Sequence, residues 1–388
     1  MTASKRNTAY IVAIATALVF VTFFTLGATT QFILHQIDSR QSQRPEVFWE
    51  AWELLEQEFY GSIPSAQERT YGAIRGALAV LDDPYTILLE PQTGEVERNR
   101  LTGAYGGIGV DLWRNSDGAV VLSPFPASPA ETAGVRTGDV LLEIDGLPVD
   151  TRTLDDIRVQ LRGPAGSTVT ATLSRPPTPP FQLVIARAEI LLPSVTYRTL
   201  DRDPAIGYLH ITTFTERTPR ETEQALQSLL DSQVEQLVLD LRGNGGGLIQ
   251  PAVSVAGLFL DGGVVMHEVQ REGQQTLHAS DGGLAADLPL LVLVDRSTAS
   301  AAEIVAGALQ ARQRGPLIGQ PTYGKGSVQR VYTLSDGSAL HVTAAIWLLP
   351  GQEPIADSGL TPDIPVVQED TLLDTALERA IDYFQTGE

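Results

Sequence analysis

Residues 290–311 read LLVLVDRSTASAAEIVAGALQA, and this stretch decides the fold class. Leu290–Val294 is a continuous apolar run of strand length, which is typical of a strand buried on both faces in a parallel sheet. Ala301–Ala311 follows with the composition of a helix. Ser300 therefore lies where a buried strand gives way to a helix N-terminus.

The same alternation extends over the second half of the chain. Further strand patterns occupy 206–211, 236–241, 317–318 and 340–346, and helical patterns occupy 220–230 and 249–259. Alternating strands and helices predict an α/β domain with a largely parallel sheet, whose ligand sites lie at the carboxyl ends of the strands. We assign residues 191–388 to this domain.

Composition excludes several kinds of function. At 388 residues the chain is long enough for two or three domains. The net charge of −20 disfavours nucleic acid as a partner, and the absence of cysteine removes thiolate nucleophiles, disulfides and cysteine-based zinc sites. The five histidines are scattered, so we expect neither a metal nor another cofactor.

The N-terminus has the pattern of a membrane segment. Residues 10–28 are uncharged and mostly apolar, long enough to cross a bilayer, and Lys5 and Arg6 precede them. The basic flank predicts a cytoplasmic tail at 1–9, a transmembrane anchor at 10–28 and an extracytoplasmic catalytic part after a linker at 29–44. A cleaved signal peptide is the alternative, and it exports the protein as well.

Residues 45–98 predict a helical arm. Phe48, Trp52, Leu55 and Phe59 recur at helical spacing, and a second helix is predicted over 67–81. From 99 to 190 the sequence changes to short β-type runs with many glycines, a helical pattern at 153–161 and a strand at 169–173. The prolines at 176–180 predict a stiff loop or linker at the end of this β-rich module.

Three segments of the α/β domain carry groups suited to catalysis. Ser300 opens the helix, Lys325 lies between two glycines, and Gly243–Gly247 follows a buried strand with amides suited to hold an oxyanion. Each has a simpler explanation when it is taken alone. Ser300 with Glu303 forms a helix capping box, and a lysine in a turn is ordinary.

Together the three segments resemble the C-terminal processing peptidases, also called tail-specific proteases. The middle serine of that family's motif falls on Ser300, the Gly-Lys-Gly turn comes 25 residues later at Lys325, and a glutamine follows four residues after the lysine. The sequence departs from the commonest pattern at Ser297, Thr298 and Ala302. The resemblance implies roles for five residues. Ser300 is the nucleophile, Lys325 is its base and Gln329 orients the lysine amine. The amides of Gly246 and Ala301 are the implied oxyanion donors, and the choice among Gly245, Gly246 and Gly247 stays open because they are neighbours in one loop.

The β-rich module resembles the PDZ domain that these proteases carry. The resemblance rests on a glycine-rich loop, on residues 128–139 and on an Ile-Asp-Gly at 144–146. It implies that the loop binds the C-terminal carboxylate of a substrate tail while the tail adds to the sheet edge. The implied substrate-binding residues are Gly106, Gly107, Ile108, Gly109 and Val110.

The sequence thus predicts a multidomain α/β protein with an N-terminal transmembrane helix, a helical arm, a PDZ domain and a protease core. Its expected function is that of an exported serine endopeptidase, which cleaves proteins with exposed C-terminal tails near their C-termini. A catalytically silent PDZ scaffold is the main alternative. A chymotrypsin-like enzyme is disfavoured, because the glycine loop lacks the required serine. The sequence leaves open the natural substrate, and whether the protein forms a homo-oligomer or uses an adaptor.

Overall fold

A computed structural model of the chain describes residues 46–273, 275–355, 358–367 and 374–387. The predicted anchor at 10–28 and the linker at 29–44 lie outside these residues. Within the described ranges, no helix combines the length and apolarity that a bilayer span needs. The chain divides into two compact units, 1–73 and 74–388, which are described separately.

The described part of the first unit contains α1 (Glu46–Glu58) and the start of α2 (Ala66–Ala79). Phe48 and Trp52, one helical turn apart, stack with ring centroids 6.0 Å apart. Arg69 forms an ion pair with Glu56 and so links the two helices. Both helices predicted from the sequence are present, and the second ends two residues earlier than predicted.

The second unit opens with β1 (Ile87–Leu89) and α3 (Pro91–Thr102), which leads into the β-rich module. Gly103 ends α3 in the left-handed conformation, with φ of 69°. The module's elements are β2 (Ala104–Gly107), β3 (Val110–Arg114), β4 (Val120–Pro124), α4 (Pro129–Ala133), β5 (Asp139–Ile144), β6 (Leu147–Pro148), α5 (Leu154–Leu161), β7 (Thr168–Arg175), β8 (Thr178–Ala186) and β9 (Ala188–Leu191).

Its main sheet is antiparallel, in the order β3-β4-β5-β7-β8, with β6 paired to β5. A separate ribbon pairs β2 with β9. Helix α5 begins at a capping box between Thr153 and Asp156, as its sequence pattern predicts. Ile157 and Leu161 of α5 pack in the module's core with Leu112 of β3.

The stiff loop predicted at 176–180 is confirmed only at 176–177, which form the turn between β7 and β8, and the prediction is wrong for 178–180. Strand β8 begins at Thr178 and carries Pro179 and Pro180, and it pairs with β7 from Thr178 to Ala186. It lies at the end of the strand order, where one side of the strand needs no ladder partner. A proline is tolerated on an edge strand because its missing N–H then breaks no sheet hydrogen bond.

The α/β domain contains a six-stranded sheet in the order β10-β11-β12-β15-β16-β19. Its pairings are parallel from β11 onward, and only β10 is antiparallel to its neighbour, so the predicted largely parallel sheet is confirmed. Its elements are β10 (Val195–Thr199), β11 (Ile206–Ile211), α6 (Thr218–Asp231), β12 (Gln236–Asp240), α7 (Ile249–Phe259), β15 (Leu290–Val294), α8 (Ala301–Ala311), β16 (Leu317–Gly319), β19 (Ile364–Pro365) and α9 (Thr375–Thr386).

A second sheet, which the sequence did not predict, is antiparallel. It consists of β1 together with β13 (Asp261–Gln270), β14 (Gln275–Gly282), β17 (Ser327–Thr333) and β18 (Ala339–Leu348). The strand predicted at 340–346 belongs to this sheet rather than to the parallel one. Lys325 lies just before β17, so this sheet brings Lys325 toward the parallel sheet that leads into Ser300.

Candidate active site

Ser300 occupies a strained turn between β15 and α8. Its φ of 55° and ψ of −118° lie outside the regions that non-glycine residues ordinarily adopt. The buried carboxylate of Glu303 accepts a hydrogen bond from the Ser300 backbone N–H at 2.7 Å. Such strain persists only where the surroundings hold it, and it is concentrated at functional sites.

The glycine loop after β12 packs directly against this turn. The backbone N–H of Ala299 donates to the Asn244 carbonyl at 2.9 Å, and Thr298 Oγ1 donates to the Leu241 carbonyl at 3.0 Å. A Cβ on Gly246 would lie 2.9 Å from the Ser300 Cβ. The loop therefore needs glycine at 246, because a side chain there would collide with the serine.

The predicted oxyanion donor Gly246 has its backbone N–H engaged elsewhere. That N–H donates to Asn244 Oδ1 at 2.9 Å within the loop. Gly245 and Gly247 line the cleft that contains Ser300. Ala301, whose amide is the other predicted donor, is the first residue of α8.

Glu303 joins the serine turn to the lysine turn. It is fully buried, and besides the Ser300 N–H its carboxylate accepts from Thr322 Oγ1 at 2.6 Å, from the Gly324 N–H at 2.6 Å and from the Lys325 N–H at 3.0 Å. The sequence indicated only its capping role. Its contact with residues 322–325 spans about 20 residues of chain, and no local pattern could reveal it.

Lys325 and Ser300 line one cleft of about 460 Å³, which also contains Gln329, His341 and Glu97. The Lys325 Nζ lies 4.8 Å from the centroid of the Tyr85 ring. Within the described residues, no hydrogen bond joins Lys325 Nζ to Ser300 Oγ. Lys325 is the sole lysine of those residues, since the other lysine of the chain is Lys5.

Burial lowers the pKa of the Lys325 amine below its usual 10.5. The carboxylates of Glu97 and Asp83 act in the opposite direction, and the Arg100 guanidinium adds to the lowering. Desolvation disfavours the ammonium form, which is the condition for a lysine to act as a base. The neighbouring carboxylates moderate this effect.

Gln329 does not hold the lysine amine in this structure. Its Nε2 donates to Thr343 Oγ1 at 2.7 Å, and its Oε1 has no hydrogen-bond partner. Two other atoms of cleft residues, Ser327 Oγ and His341 Nε2, are likewise buried and unpartnered. These atoms leave hydrogen-bonding capacity in the cleft wall.

The predicted tail-binding residues lie in the β-rich module, apart from the residues that line this cleft. Gly106 and Gly107 belong to β2, Ile108 is buried, Gly109 has φ of 73°, and Val110 begins β3. Strand β3 is the edge strand at one end of its sheet, and within that sheet it pairs only with β4.

Comparison with known proteins agrees with this architecture. Residues 205–366 match peptidase family S41, and residues 120–175 match a PDZ domain. A carboxyl-terminal-processing protease from Synechocystis is 36% identical over 334 residues, which are 84% of this chain and 78% of the relative. The carboxy-terminal processing protease CtpB of Bacillus subtilis is 31% identical over 338 residues, covering 86% of this chain and 70% of the relative.

A solved photosystem II D1 C-terminal processing protease is 36% identical, with a TM-score of 0.50 over 84% of this chain and 89% of that one. The fold, the cleft and these matches define a serine-type peptidase that carries a PDZ domain. The chain belongs to the carboxyl-terminal-processing proteases of peptidase family S41. The family resemblance seen in the sequence is thereby confirmed.

Proposed function

We propose that this peptidase cleaves proteins near their C-termini with Ser300 as the nucleophile and Lys325 as its base. One observation carries the proposal. The two side chains line one cleft, and their backbones are tied to a single buried carboxylate, that of Glu303. No cysteine is present to serve as an alternative nucleophile.

The reaction is acyl transfer. The neutral Lys325 amine takes the proton of the Ser300 hydroxyl while Oγ attacks the scissile carbonyl carbon, and the carbonyl π electrons move to oxygen. Collapse of the tetrahedral intermediate breaks the C–N bond, and the departing amine takes the proton from Lys325. Water then attacks the acyl-enzyme, again losing its proton to Lys325, and the Ser300 oxygen leaves with that proton.

In this structure the amine lies over Tyr85 and makes no hydrogen bond to Ser300 Oγ, so the proposed mechanism includes a movement of the lysine amine toward the serine. Gln329 has a free Oε1 that would receive the amine after such a movement. We propose this as the orienting role of Gln329. Rotation about the four side-chain bonds of the lysine is enough for such a movement, without any movement of the backbone.

The PDZ domain would bind the substrate tail at the open edge of β3. The bonds Phe125 N–H to Gly109 O and Asn115 N–H to Ala119 O lie at the two ends of the β3–β4 pair. Bonded and non-bonded pairs alternate in an antiparallel ladder, so the polar backbone groups of Val110, Leu112 and Arg114 face away from β4. An extended tail can pair with Val110 and Arg114, and with Leu112 once its N–H leaves Asp111 Oδ1 (2.8 Å) and its carbonyl leaves Arg158 Nη2 (3.4 Å). The carboxylate of the tail would then lie near the glycine loop.

The test is cleavage of a stable protein that carries an unstructured apolar C-terminal tail, using the full chain in detergent. Ser300→Ala and Lys325→Ala are expected to lower kcat by at least about 1,000-fold, since each removes a reacting group. Ser297→Ala, an exposed serine of the same loop, is the matched control and should keep full activity. Unchanged cleavage in Ser300→Ala would refute the proposal.

A catalytically silent scaffold predicts a different result. It would bind the tail and leave it intact in the wild type as well as in both variants. Binding by wild type without cleavage would therefore favour the scaffold function over the peptidase function.

We also propose that residues 10–28 anchor the protein and place the catalytic part outside the cytoplasm. The proposal rests on the uncharged stretch and on the basic residues that precede it. Protease added outside spheroplasts should digest the catalytic part, and alkaline carbonate should leave the protein in the membrane. Protection from added protease would contradict the orientation.

A further inference from the structure

We propose that Arg100 is a positioning residue for the oxyanion site. Through Thr213 it holds the Gly246 carbonyl, so that the next amide in the chain, the Gly247 N–H, is the donor available to the oxyanion. The inference rests on the acyl-transfer mechanism proposed above. It gives α3, the helix that precedes the PDZ domain, a role in positioning the oxyanion donor.

A chain of hydrogen bonds connects α3 to the glycine loop. Arg100 Nη1 donates to Thr213 Oγ1 at 3.1 Å, and Thr213 Oγ1 in turn donates to the Gly246 carbonyl at 3.0 Å. The Phe214 backbone N–H donates to the same carbonyl at 3.0 Å. Glu97 fixes the guanidinium by accepting from Arg100 Nε and Nη2 at 2.8 Å each.

These bonds set the direction of the peptide between Gly246 and Gly247. The C=O and N–H of a trans peptide point in opposite directions, so a carbonyl held toward residues 213 and 214 turns the Gly247 N–H away from them. The Leu248 N–H donates to the Phe214 carbonyl at 2.8 Å, which completes a parallel bridge around Gly247. In such a bridge the polar groups of Gly247 itself face away from Phe214.

Gly247 lines the cleft with Ser300, whereas the Gly246 N–H is bound to Asn244. Position 247 also demands glycine, because φ is 143° and a Cβ would lie 2.2 Å from the Phe214 carbonyl oxygen. The geometry therefore ranks Gly247 above Gly246 as the donor that joins the Ala301 amide. Thr213 and Arg100 restrain the carbonyl of this same peptide.

Arg100 has a second effect that a purely structural residue would lack. The charged groups facing Lys325 are Glu97 and Arg100 on α3 and Asp83 before β1, and His341 of β18 and Glu216 line the same cleft. Arg100 helps to lower the pKa of the Lys325 amine, whereas Glu97 raises it. Removing Arg100 therefore raises the pKa of the base, while removing the Thr213 hydroxyl leaves the charges unchanged.

The experiment measures kcat, KM and the pH profile of tail-substrate cleavage for the full chain. Thr213→Val removes the hydroxyl at nearly constant volume and is expected to lower kcat about three- to ten-fold, the effect of one hydrogen bond, with KM and the acid limb unchanged. Thr213→Ser keeps the hydroxyl and should restore kcat. Arg100→Ala should lower kcat and also move the acid limb to higher pH.

Arg98→Ala is the matched control, since Arg98 lies on the same helix but donates to the Gly337 carbonyl. It should retain wild-type kcat and pH dependence. A peptide aldehyde, whose adduct with Ser300 carries an oxyanion, should bind Thr213→Val more weakly, and the matching peptide alcohol should bind it as tightly as wild type.

Wild-type kcat in Thr213→Val, or equal losses for the aldehyde and the alcohol, would overturn the inference while leaving the Ser-Lys mechanism intact. Cleavage by wild type that survives Ser300→Ala would instead overturn the proposed function on which the inference rests. Loss of folding in Arg100→Ala leaves the Thr213 pair of variants as the deciding measurement.

Discussion

Glu303→Gln is the substitution that most directly tests how the site is held together. The Glu303 carboxylate accepts from Ser300 N–H and Lys325 N–H through one oxygen and from Thr322 Oγ1 and Gly324 N–H through the other. Glutamine has nearly the same shape but replaces one oxygen with an NH₂ group. If the NH₂ group faces Ser300 and Lys325, both of those bonds are lost because N–H faces N–H. If it faces Thr322 and Gly324, the Gly324 bond is lost, whereas Thr322 Oγ1 can accept from the NH₂ group.

Hydrogen bonds to a charged group contribute about 1.5–3 kcal/mol each, so the loss of one or two bonds amounts to about 1.5–6 kcal/mol. This loss is divided between the free energy of unfolding and the alignment of Ser300 with Lys325. Urea unfolding measures the first part, and kcat/KM for a tail-bearing substrate measures the second. We expect the free energy of unfolding to fall by at least about 1.5 kcal/mol and kcat/KM to fall more than ten-fold.

Glu223→Gln on the exposed face of α6 is the control, and it should change stability by less than about 0.5 kcal/mol. If Glu303→Gln does not fold, Glu303→Asp keeps the charge on a side chain one methylene shorter and should still lower kcat/KM. A Glu303→Gln protein within about 1 kcal/mol of wild-type stability and within two-fold of its kcat/KM would refute the reasoning.

Two further predictions concern charges. Glu97→Gln removes a carboxylate that raises the pKa of Lys325, so the neutral amine should form at lower pH. An NMR titration of protein with ¹³Cε-labelled lysine measures this, because only Lys5 and Lys325 give signals, and a Lys325 pKa that does not fall would contradict the prediction. Arg242→Ala leaves the 3%-exposed Asp240 carboxylate without its ion pair and should cost about 3 kcal/mol or more in urea unfolding. Burial raises the pKa of Asp374, but hydrogen bonds from Arg242 outweigh it, and the pKa is lowered overall. The ionised Asp374 carboxylate therefore stabilises the folded state above its unfolded pKa of about 3.9, and this stabilisation is lost as pH falls through its lower pKa in the folded state. Arg242→Ala should weaken this dependence of the free energy of unfolding on pH.

Much of the core could be predicted because its elements are local. The strand at Leu290–Val294 and the helices at Ile249–Phe259 and Ala301–Ala311 have the bounds that their apolar patterns indicate. Each is buried along a continuous stretch, so neighbouring residues carry the signal. The second sheet was missed because β13 and β18 pair across more than 70 residues, and of its strands only the one at 340–346 shows a pattern that predicted it.

The site divides in the same way. Ser300 and Lys325, which line one cleft, were predicted as site residues from the residues around them, since a serine at a helix start and a lysine between glycines are short patterns. Glu97 and Arg100 carry no such signal, because their relevance depends on α3 lying beside the lysine. The ranking of Gly247 over Gly246 likewise needs the direction of a peptide bond, which the composition of a glycine run does not contain.

The sequence alone therefore determined the family and the parallel sheet that leads into Ser300, and it predicted the nucleophile and the base, because each of these features is carried by contiguous residues. Only the tertiary structure decided where the lysine amine lies, which amide is available to the oxyanion and which buried carboxylate joins the two turns. Those properties come from groups far apart in the chain, whose distances and hydrogen bonds exist only after the segments pack together.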